Sequence, residues 1–569
     1  MANSQAKLFF ILKALLLLCL SSSPSAHADS SWQKESSRYL EQLLKINPDQ
    51  LQELKKPEVL EFYRHRKYKP MWSNEKGRLD RAYDLLHVII RAKDEGLEPD
   101  DYYLEDFYKY WGSTGLGESV KLDLLLSAAL YRYSNDVYTG RLDASDLDPD
   151  WHIKRESPDV RRLFLDVARK ESIAKLLKQL PPQHDGYQSL KQQLQQFREL
   201  EQQGGWDRMG WGPVLERGVQ HEQVVLLRRR LKLTGDLVVD PFPDMDMYDR
   251  RLEEAVRNYQ QRHGLGVDGK VGPQTRRSLN VSVGERISQI RINMERWRWL
   301  PRELGERHIR IDLAGFRLQV YDRDTVPLSM RVIVGRSNRK TPSFSSQMYH
   351  LMFNPYWNVP DNIAFEDMLP KIRRDPTYLA RNQIRVIKGY GEKEQELDYQ
   401  SIDWSLYTET VQLPFRFRQD PGAINSMGRI KFMLPNSFEI NLHDTPNKHL
   451  FNRSMRAYSS GCIRVEEPIA LAEYVMGDEW QQADIHKVIA SKKNKVHHLP
   501  EPIPVHVLYQ TAWVDQDNII HFQRDVYERD ERLLAALRKI SKPIASETEN
   551  DTENDLKASG YRQSRADPS

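Results

Sequence analysis

The chain has 569 residues, 84 Lys and Arg against 81 Asp and Glu, and a formal net charge of +3. That length is enough for three or four domains, and the near-neutral balance excludes a dedicated nucleic-acid binder, which needs a concentrated basic surface. Its only two cysteines are Cys19 and Cys462, which excludes a disulfide framework.

In chain order, residues 1–28 read as a cleavable export signal. Lys7 supplies positive charge, Leu8 to Leu20 is a mostly apolar run interrupted by Lys13, and Ala26-His27-Ala28 is a small-x-small cleavage site. The run is shorter than the ~20 residues of a membrane span. An uncleaved anchor is the alternative, and only then is the membrane a partner. A lipid on Cys19 is disfavoured because Leu18, just before it, is not small. Removing the signal takes Lys7 and Lys13 with it and leaves Cys462 as the only thiol. Residues 29–215 are expected to form a helical scaffold. Leu85, Leu86, Ile89 and Ile90 have helical spacing, Leu122 to Leu130 is apolar except at Asp123 and Ser127, and Leu194, Phe197 and Leu200 make a thin stripe on a glutamine-rich helix. Tyr63, His65, Tyr68, Pro70 and Trp72 form an aromatic and basic cluster in the early part of this region.

Residues 220–280 carry a second helical pattern. Val224, Leu227 and Leu231 step by three and four, and Leu252, Ala255, Val256 and Tyr259 form one buried stripe. The stretch from Gly264-Leu265 through Asp268-Gly269 to Gly272-Pro273-Gln274-Thr275 supplies turn chemistry and a helix start. This pattern resembles the three-helix peptidoglycan-binding domain. Ile287, Ile290, Met294 and Trp297 then predict an amphipathic connector helix. From about residue 307 the period changes to two: Ile309, Ile311 and Leu313, then Phe316, Leu318 and Val320, then Met330, Val332 and Val334. A β-rich domain over 307–490 is predicted, with an insertion at about 360–425 that is either a surface loop or a lid. Residues 491–543 follow as a C-terminal extension, and 544–569 are polar enough to be a disordered tail.

Thiol chemistry on an amide needs a nucleophile, a base and donors for the oxyanion. Cys462 sits in Ser459-Ser460-Gly461-Cys462-Ile463-Arg464, and His443-Asp444-Thr445-Pro446 precedes it. His443 follows the alternating Phe438, Ile440 and Leu442 and should leave the end of a strand. Gly461 permits a strained turn that would aim its own amide and that of Cys462 at one oxyanion. Arg464 either binds a carboxylate or holds the loop. Asn441 shares a face with His443 and is expected to line the site. A backbone carbonyl, rather than Asp444, is the expected partner of the imidazole. On the residues alone, inert packing of the Cys and His remains the competing reading. No metal-binding pattern is present.

The same residues, read as His443-Asp444-Thr445-Pro446 followed by Ser459-Ser460-Gly461-Cys462-Ile463-Arg464-Val465, resemble the signature of the L,D-transpeptidase (YkuD-like) catalytic domain. The order of helical front, small binding module, catalytic domain and insertion resembles the large periplasmic subgroup of that family. The resemblance implies a multidomain α+β chain in the periplasm with a β-sandwich-like catalytic domain. It implies Cys462 as nucleophile, His443 as base and Gly461 as the glycine before the nucleophile, with no cofactor and no metal. Peptidoglycan stem peptides and glycan are the implied partners, with other cell-wall synthesis enzymes as further ones. The expected reaction is peptidoglycan cross-linking through a cysteine thioester, with release of terminal D-alanine. An L,D-carboxypeptidase, another exported cysteine peptidase, and an inactive wall-binding scaffold are the alternatives. Many family members carry histidine before the glycine; here it is Ser460, an expected substrate contact like Arg464, Asn441 and Trp357. Trp357 lies in Asn354-Pro355-Tyr356-Trp357, which resembles the family segment ahead of the lid.

Overall fold

The computed structural model describes residues 26–46, 51–241, 243–407 and 413–540. The apolar run with Cys19, expected as an export signal, and the expected tail from Ile544 lie outside them, and Ala26–Ala28 opens the helix Ala26–Ile46. No described helix is long and apolar enough to cross a membrane. The molecule is a multidomain α+β protein. Its chain divides into two units, the first comprising residues up to 93, 97–136 and 157–180, and the second the remainder.

The first unit is helical, apart from a small hairpin of β1 (Ser73–Asn74) and β2 (Gly77–Arg78). Its central helix begins at Leu116, and Leu122, Leu126, Ala128, Ala129 and Leu130 on it are wholly buried. The two polar residues that interrupt this apolar run form a buried clasp. Asp123 accepts the Met71 and Trp72 backbone N–H groups at 3.0 and 2.8 Å, and Ser127 accepts the Trp72 indole N–H at 2.8 Å. The Tyr63 hydroxyl reaches both. Of the aromatic and basic cluster, Tyr63 and Trp72 are thus core residues. Burial pushes the Asp123 carboxyl up to about 6. Asp123→Ala would leave two buried N–H groups without an acceptor, at about 1–3 kcal/mol each. A loss of about 3 kcal/mol in denaturant unfolding is expected, and an unchanged midpoint would refute the clasp.

In the second unit, helices Gln223–Leu233, Arg250–Arg262 and Pro273–Leu279 pack around Val224, Leu227, Leu231, Leu252, Ala255, Val256 and Tyr259, the residues of the apolar stripes. The Gln260 side chain organises the glycine-containing turn: its amide donates to Asp268 Oδ1 and the Lys270 carbonyl at 2.7 and 2.9 Å, and it accepts the Gly269 N–H at 2.8 Å. Helix Val283–Arg298, expected as an amphipathic connector, is instead buried on nearly every side. It packs on helix Asp185–Gln202 in one apolar cluster with Tyr187, Leu190, Leu194 and Phe197. The polar positions on its other faces are paired internally, with Glu295 meeting Arg298 at 2.8 Å and Arg296 meeting Asp530 at 2.7 Å. Buried ion pairs of this kind hide a helix from an amphipathicity reading.

The β-rich region begins with β3 (Arg307–Asp312), β4 (Arg317–Asp322), β5 (Thr325–Gly335) and β6 (Phe344–Phe353). The insertion holds β7 (Trp357–Asn358), β8 (Ile384–Lys388), β9 (Gln395–Leu397) and β10 (Arg416–Gln419). Then come β11 (Ile430–Met433), β12 (Leu442–His443), β13 (Ala457–Ser459), β14 (Ile463–Val465), β15 (Lys495–Leu508) and a last hairpin, β16 (Ala512–Val514) with β17 (Ile520–Phe522). One nine-stranded sheet runs β13-β5-β14-β12-β11-β6-β15-β3-β4, and β4 also pairs with β5, so the sheet closes on itself. The β-sandwich-like expectation is met by this barrel-like closure, which leaves few edges to protect. The alternating residues Ile309, Ile311, Leu318, Val320, Val332 and Val334 fill its core with Phe432, Leu442, Ile463 and Val465.

The sheet continues past residue 490, because β15 is its longest strand. Pro500, Pro502 and Pro504 conceal that strand from a period-two reading, and its register against β6 shifts between His498 and Ile503. The insertion is not a surface loop. It has its own four-stranded sheet, β7-β10-β8-β9, and its own core of Met368, Leu369, Ile372, Val386, Trp404 and Phe417.

Candidate active site

The site lies on three neighbouring short strands. β12 pairs in parallel with β14, so Leu442 faces Ile463 and His443 faces Arg464. β11 pairs antiparallel with β12, so Phe432 faces Leu442 and Lys431 faces His443. Strand alternation sends Leu442, Phe432, Ile463 and Val465 into the core. It sends Lys431, His443 and Arg464 to the opposite face as one cross-strand row. Cys462, two residues before Arg464, shares that face. The ladder extends to it, since the Ile463 N–H donates to the Asn441 carbonyl at 3.0 Å.

Cys462 is a free, partly exposed thiol whose Sγ is 3.7 Å from the Glu439 carbonyl. Burial of the sulfur raises its pKa; the Asn441 N–H and the charges of Lys431 and Arg464 act the other way. Gly461 has φ of +120°, and a Cβ there would meet Ile440 Cδ1 at 3.0 Å. This is the backbone that glycine alone adopts without strain. The turn is held from within and from below. The Ser459 hydroxyl donates to the Cys462 carbonyl at 2.5 Å and accepts the Gly461 N–H at 3.2 Å, while Thr341 Oγ1 donates to the Gly461 carbonyl at 2.7 Å. The expectation that Gly461 offers its amide to an oxyanion is therefore corrected: Ser459 already occupies that N–H. The Cys462 N–H is left as the backbone donor beside the sulfur.

His443 is 4% exposed, and its Nδ1 is 2.5 Å from the Asp444 carbonyl. A carbonyl only accepts, so Nδ1 carries the proton and Nε2 is the basic atom. Burial, then the Arg464 and Lys431 charges, lower its pKa to about 3. The imidazole is neutral at physiological pH, and burial favours the neutral thiol at Cys462 as well. The Asp444 carboxylate faces elsewhere, accepting the Arg429 N–H at 2.8 Å and pairing with Lys448 at 2.7 Å.

Two expected contacts have protein partners of their own. The Asn441 side chain is committed to backbone, accepting the Leu434 N–H at 3.2 Å and donating to the Glu439 carbonyl at 3.1 Å, so it shapes the strand entry. Trp357 pairs through β7 with β10 and packs against the insertion core. Ser460 stands at the nucleophile turn, where its hydroxyl accepts Arg339 Nη1 at 3.0 Å. Arg464 does not hold the loop through its Nε, which is buried without a hydrogen-bond partner.

Residues 306–497 match the family model of the L,D-transpeptidase catalytic domain. Residues 57–194 match a scaffold domain, and residues 220–279 a "putative peptidoglycan binding domain". A Haemophilus influenzae protein described as a "putative L,D-transpeptidase" is 35% identical over 300 residues, covering 51% of this chain and 59% of that protein. The match thus spans less than two thirds of that relative. Solved L,D-transpeptidase structures from Xylanimonas cellulosilytica and Stackebrandtia nassauensis are 15% and 12% identical, with TM-scores of 0.17 and 0.21. They cover 53% and 52% of this chain, and 100% and 94% of their own.

Sequence reasoning missed Lys431, which lies in the region that matches the catalytic-domain model. It is half-buried beside His443, and burial lowers its pKa while Cys462 and Glu439 hold it up. The signal was present: Ile430 and Phe432 are core residues, so the residue between them faces the site. Lys431 and Arg464 give the row a positive potential toward an anionic sulfur or substrate. Lys431→Met keeps the aliphatic stem and removes the charge. It should raise the Cys462 pKa further and lower kcat/KM by about 10- to 100-fold, the effect of one to two pKa units. An unchanged alkylation pH profile would rule out this role.

Proposed function

We propose that the chain is a peptidoglycan L,D-transpeptidase acting through Cys462 and His443. His443 Nε2 takes the Cys462 proton as the sulfur attacks the carbonyl carbon of the penultimate residue of a tetrapeptide stem. The Cys462 N–H receives the oxyanion, with Lys431 and Arg464 as the nearby positive charge. The carbon–nitrogen bond breaks, His443 returns the proton to the leaving D-alanine amine, and a thioester remains. An acceptor amine, the diaminopimelate side chain of a second stem, attacks the thioester and gives its proton to His443, which passes it to the departing sulfur to restore the thiol and the neutral imidazole. Arg464 and Ser460 are read as substrate neighbours, the 220–280 module as the contact to glycan, and the periplasm as the compartment. Water in place of the acceptor amine turns the same thioester into a carboxypeptidase product.

The observation that supports this reading is a free thiol at Cys462 that shares a sheet face with the cross-strand row of Lys431, His443 and Arg464. The family match is consistent with it. The test is to incubate the purified protein with disaccharide tetrapeptides and follow products by mass spectrometry. Released D-alanine, cross-linked dimers and an acyl adduct on Cys462 are expected. Intact tetrapeptide with no adduct on Cys462 would sink the proposal.

A further inference from the structure

Arg339 lies in the turn between β5 and β6, and its side chain is 8% exposed. Its guanidinium joins two parts of the molecule that are far apart in sequence. Nη1 donates to Ser460 Oγ at 3.0 Å and to Asp367 Oδ2 at 2.5 Å. Nη2 meets the Glu366 carboxylate and, at 3.5 Å, the Asn362 carbonyl. Arg336 Nη2 holds the same Asp367 carboxylate at 3.1 and 3.2 Å. Glu366 and Asp367 belong to the insertion, in the single π-helical turn Ala364–Met368, a conformation frequent at functional sites. Ser460 is the residue before Gly461 and Cys462.

The rest of this turn follows the nucleophile turn residue by residue. The Arg336 N–H donates to the Ser459 carbonyl at 3.0 Å, Arg339 reaches Ser460, and Thr341 Oγ1 reaches Gly461. The Thr341 hydroxyl also accepts the Gly335 N–H at 2.9 Å. Tyr527 closes the far side, its hydroxyl donating to the Gly335 carbonyl at 2.6 Å. Residues 459–461 are therefore gripped by one short segment; Arg336 and Arg339 of that segment both hold Asp367, and among the described residues Arg339 is the one whose side chain reaches both the insertion acids and the nucleophile turn.

We propose that Arg339 is a positioning residue that couples the seating of the insertion to the shape of the Cys462 turn. A buried guanidinium is stable only while its carboxylates are present. With Glu366 and Asp367 in place, the charge is neutralised and Nη1 is aimed at Ser460. With the acids withdrawn, the guanidinium must find water, the charge-assisted bond to Ser460 is lost, and the turn relaxes. The inference rests on the proposed function only in taking Cys462 as the nucleophile.

The test uses the full chain and reads the thiol with iodoacetamide, a small electrophile that needs no peptide site and no transpeptidation. Asp367→Asn lies on the insertion and does not touch Ser460. It is expected to change the alkylation rate of Cys462 by 3- to 10-fold and shift its pH profile, in the same direction as Arg339→Ala. Arg339→Lys should recover part of the effect. Asp367→Asn combined with Ser460→Ala should change the rate no more than the larger single variant, the mark of a shared path. Glu366→Gln, at a more exposed acid, gives a second variant if Asp367→Asn folds poorly. Unaltered alkylation in the insertion variants, with only the KM for tetrapeptide raised, would overturn the coupling, as would additive effects in the double variant. Absence of cross-linking in the wild-type protein would instead count against the proposed function and leave this readout standing.

Discussion

Cys462→Ala should abolish D-alanine release, dimer formation and the acyl adduct together, while the protein remains folded. The sulfur is the only nucleophile in the proposed reaction, and Ser459 in the same turn cannot replace it. Its hydroxyl is occupied, donating to the Cys462 carbonyl and accepting the Gly461 N–H. Alanine fits the same backbone, because the unusual conformation belongs to Gly461 with φ of +120° and not to Cys462. Residual cross-linking at a rate near wild type would require another nucleophile and end the assignment. Circular dichroism and denaturant unfolding supply the control, since the substitution removes one partly exposed sulfur and leaves the core strands untouched.

His443→Gln should lower kcat by about 10²- to 10⁴-fold, the range for a positioned general base. It should change the rate with a small electrophile far less. The reason is the charge state of the resting pair. With an imidazole pKa of about 3 and a thiol pushed up by burial, no thiolate–imidazolium pair exists before substrate binds. Wild-type alkylation should therefore climb with pH into the alkaline range and show no plateau at neutral pH. A plateau that His443→Gln removes would mean a preformed ion pair and refute this account.

The same shift has a consequence for stability. The folded His443 pKa lies below the usual value of 6.5, so protons bind the unfolded chain preferentially. Stability is complete above pH 6.5 and is lost as pH falls toward about 3. Removing the imidazole should shift acid unfolding to lower pH.

Much of the site was legible because strand alternation is local. Leu442 and Ile463 mark the buried face, so His443 and the residues at even spacing from Cys462 must face the other way. The glycine before the cysteine likewise announced a backbone turn that other residues resist, and the observed φ at Gly461 is of that kind. The helical stripes of residues 224–231 and 252–259 were readable for the same reason: three- and four-residue steps need no partner to be recognised.

The misreadings have a common cause. Helix Val283–Arg298 looks amphipathic because its charged residues are visible in sequence while their buried partners are not. The pairing of Trp357 through β7 into the insertion sheet could not be read from sequence, because its partner strand β10 is about sixty residues away. The Gly461 amide looked available until the Ser459 hydroxyl was found against it.

The amino-acid sequence by itself determined the helical stripes, the core face of each short strand and the glycine turn before Cys462, because all of these follow from spacing along one chain. The tertiary structure alone decided the electrostatics and the support of the site: Lys431 beside His443, a neutral imidazole, and Arg339 between the insertion and Ser460. Those depend on which strands pair and on how much water the pairing excludes, quantities that no local pattern of residues carries.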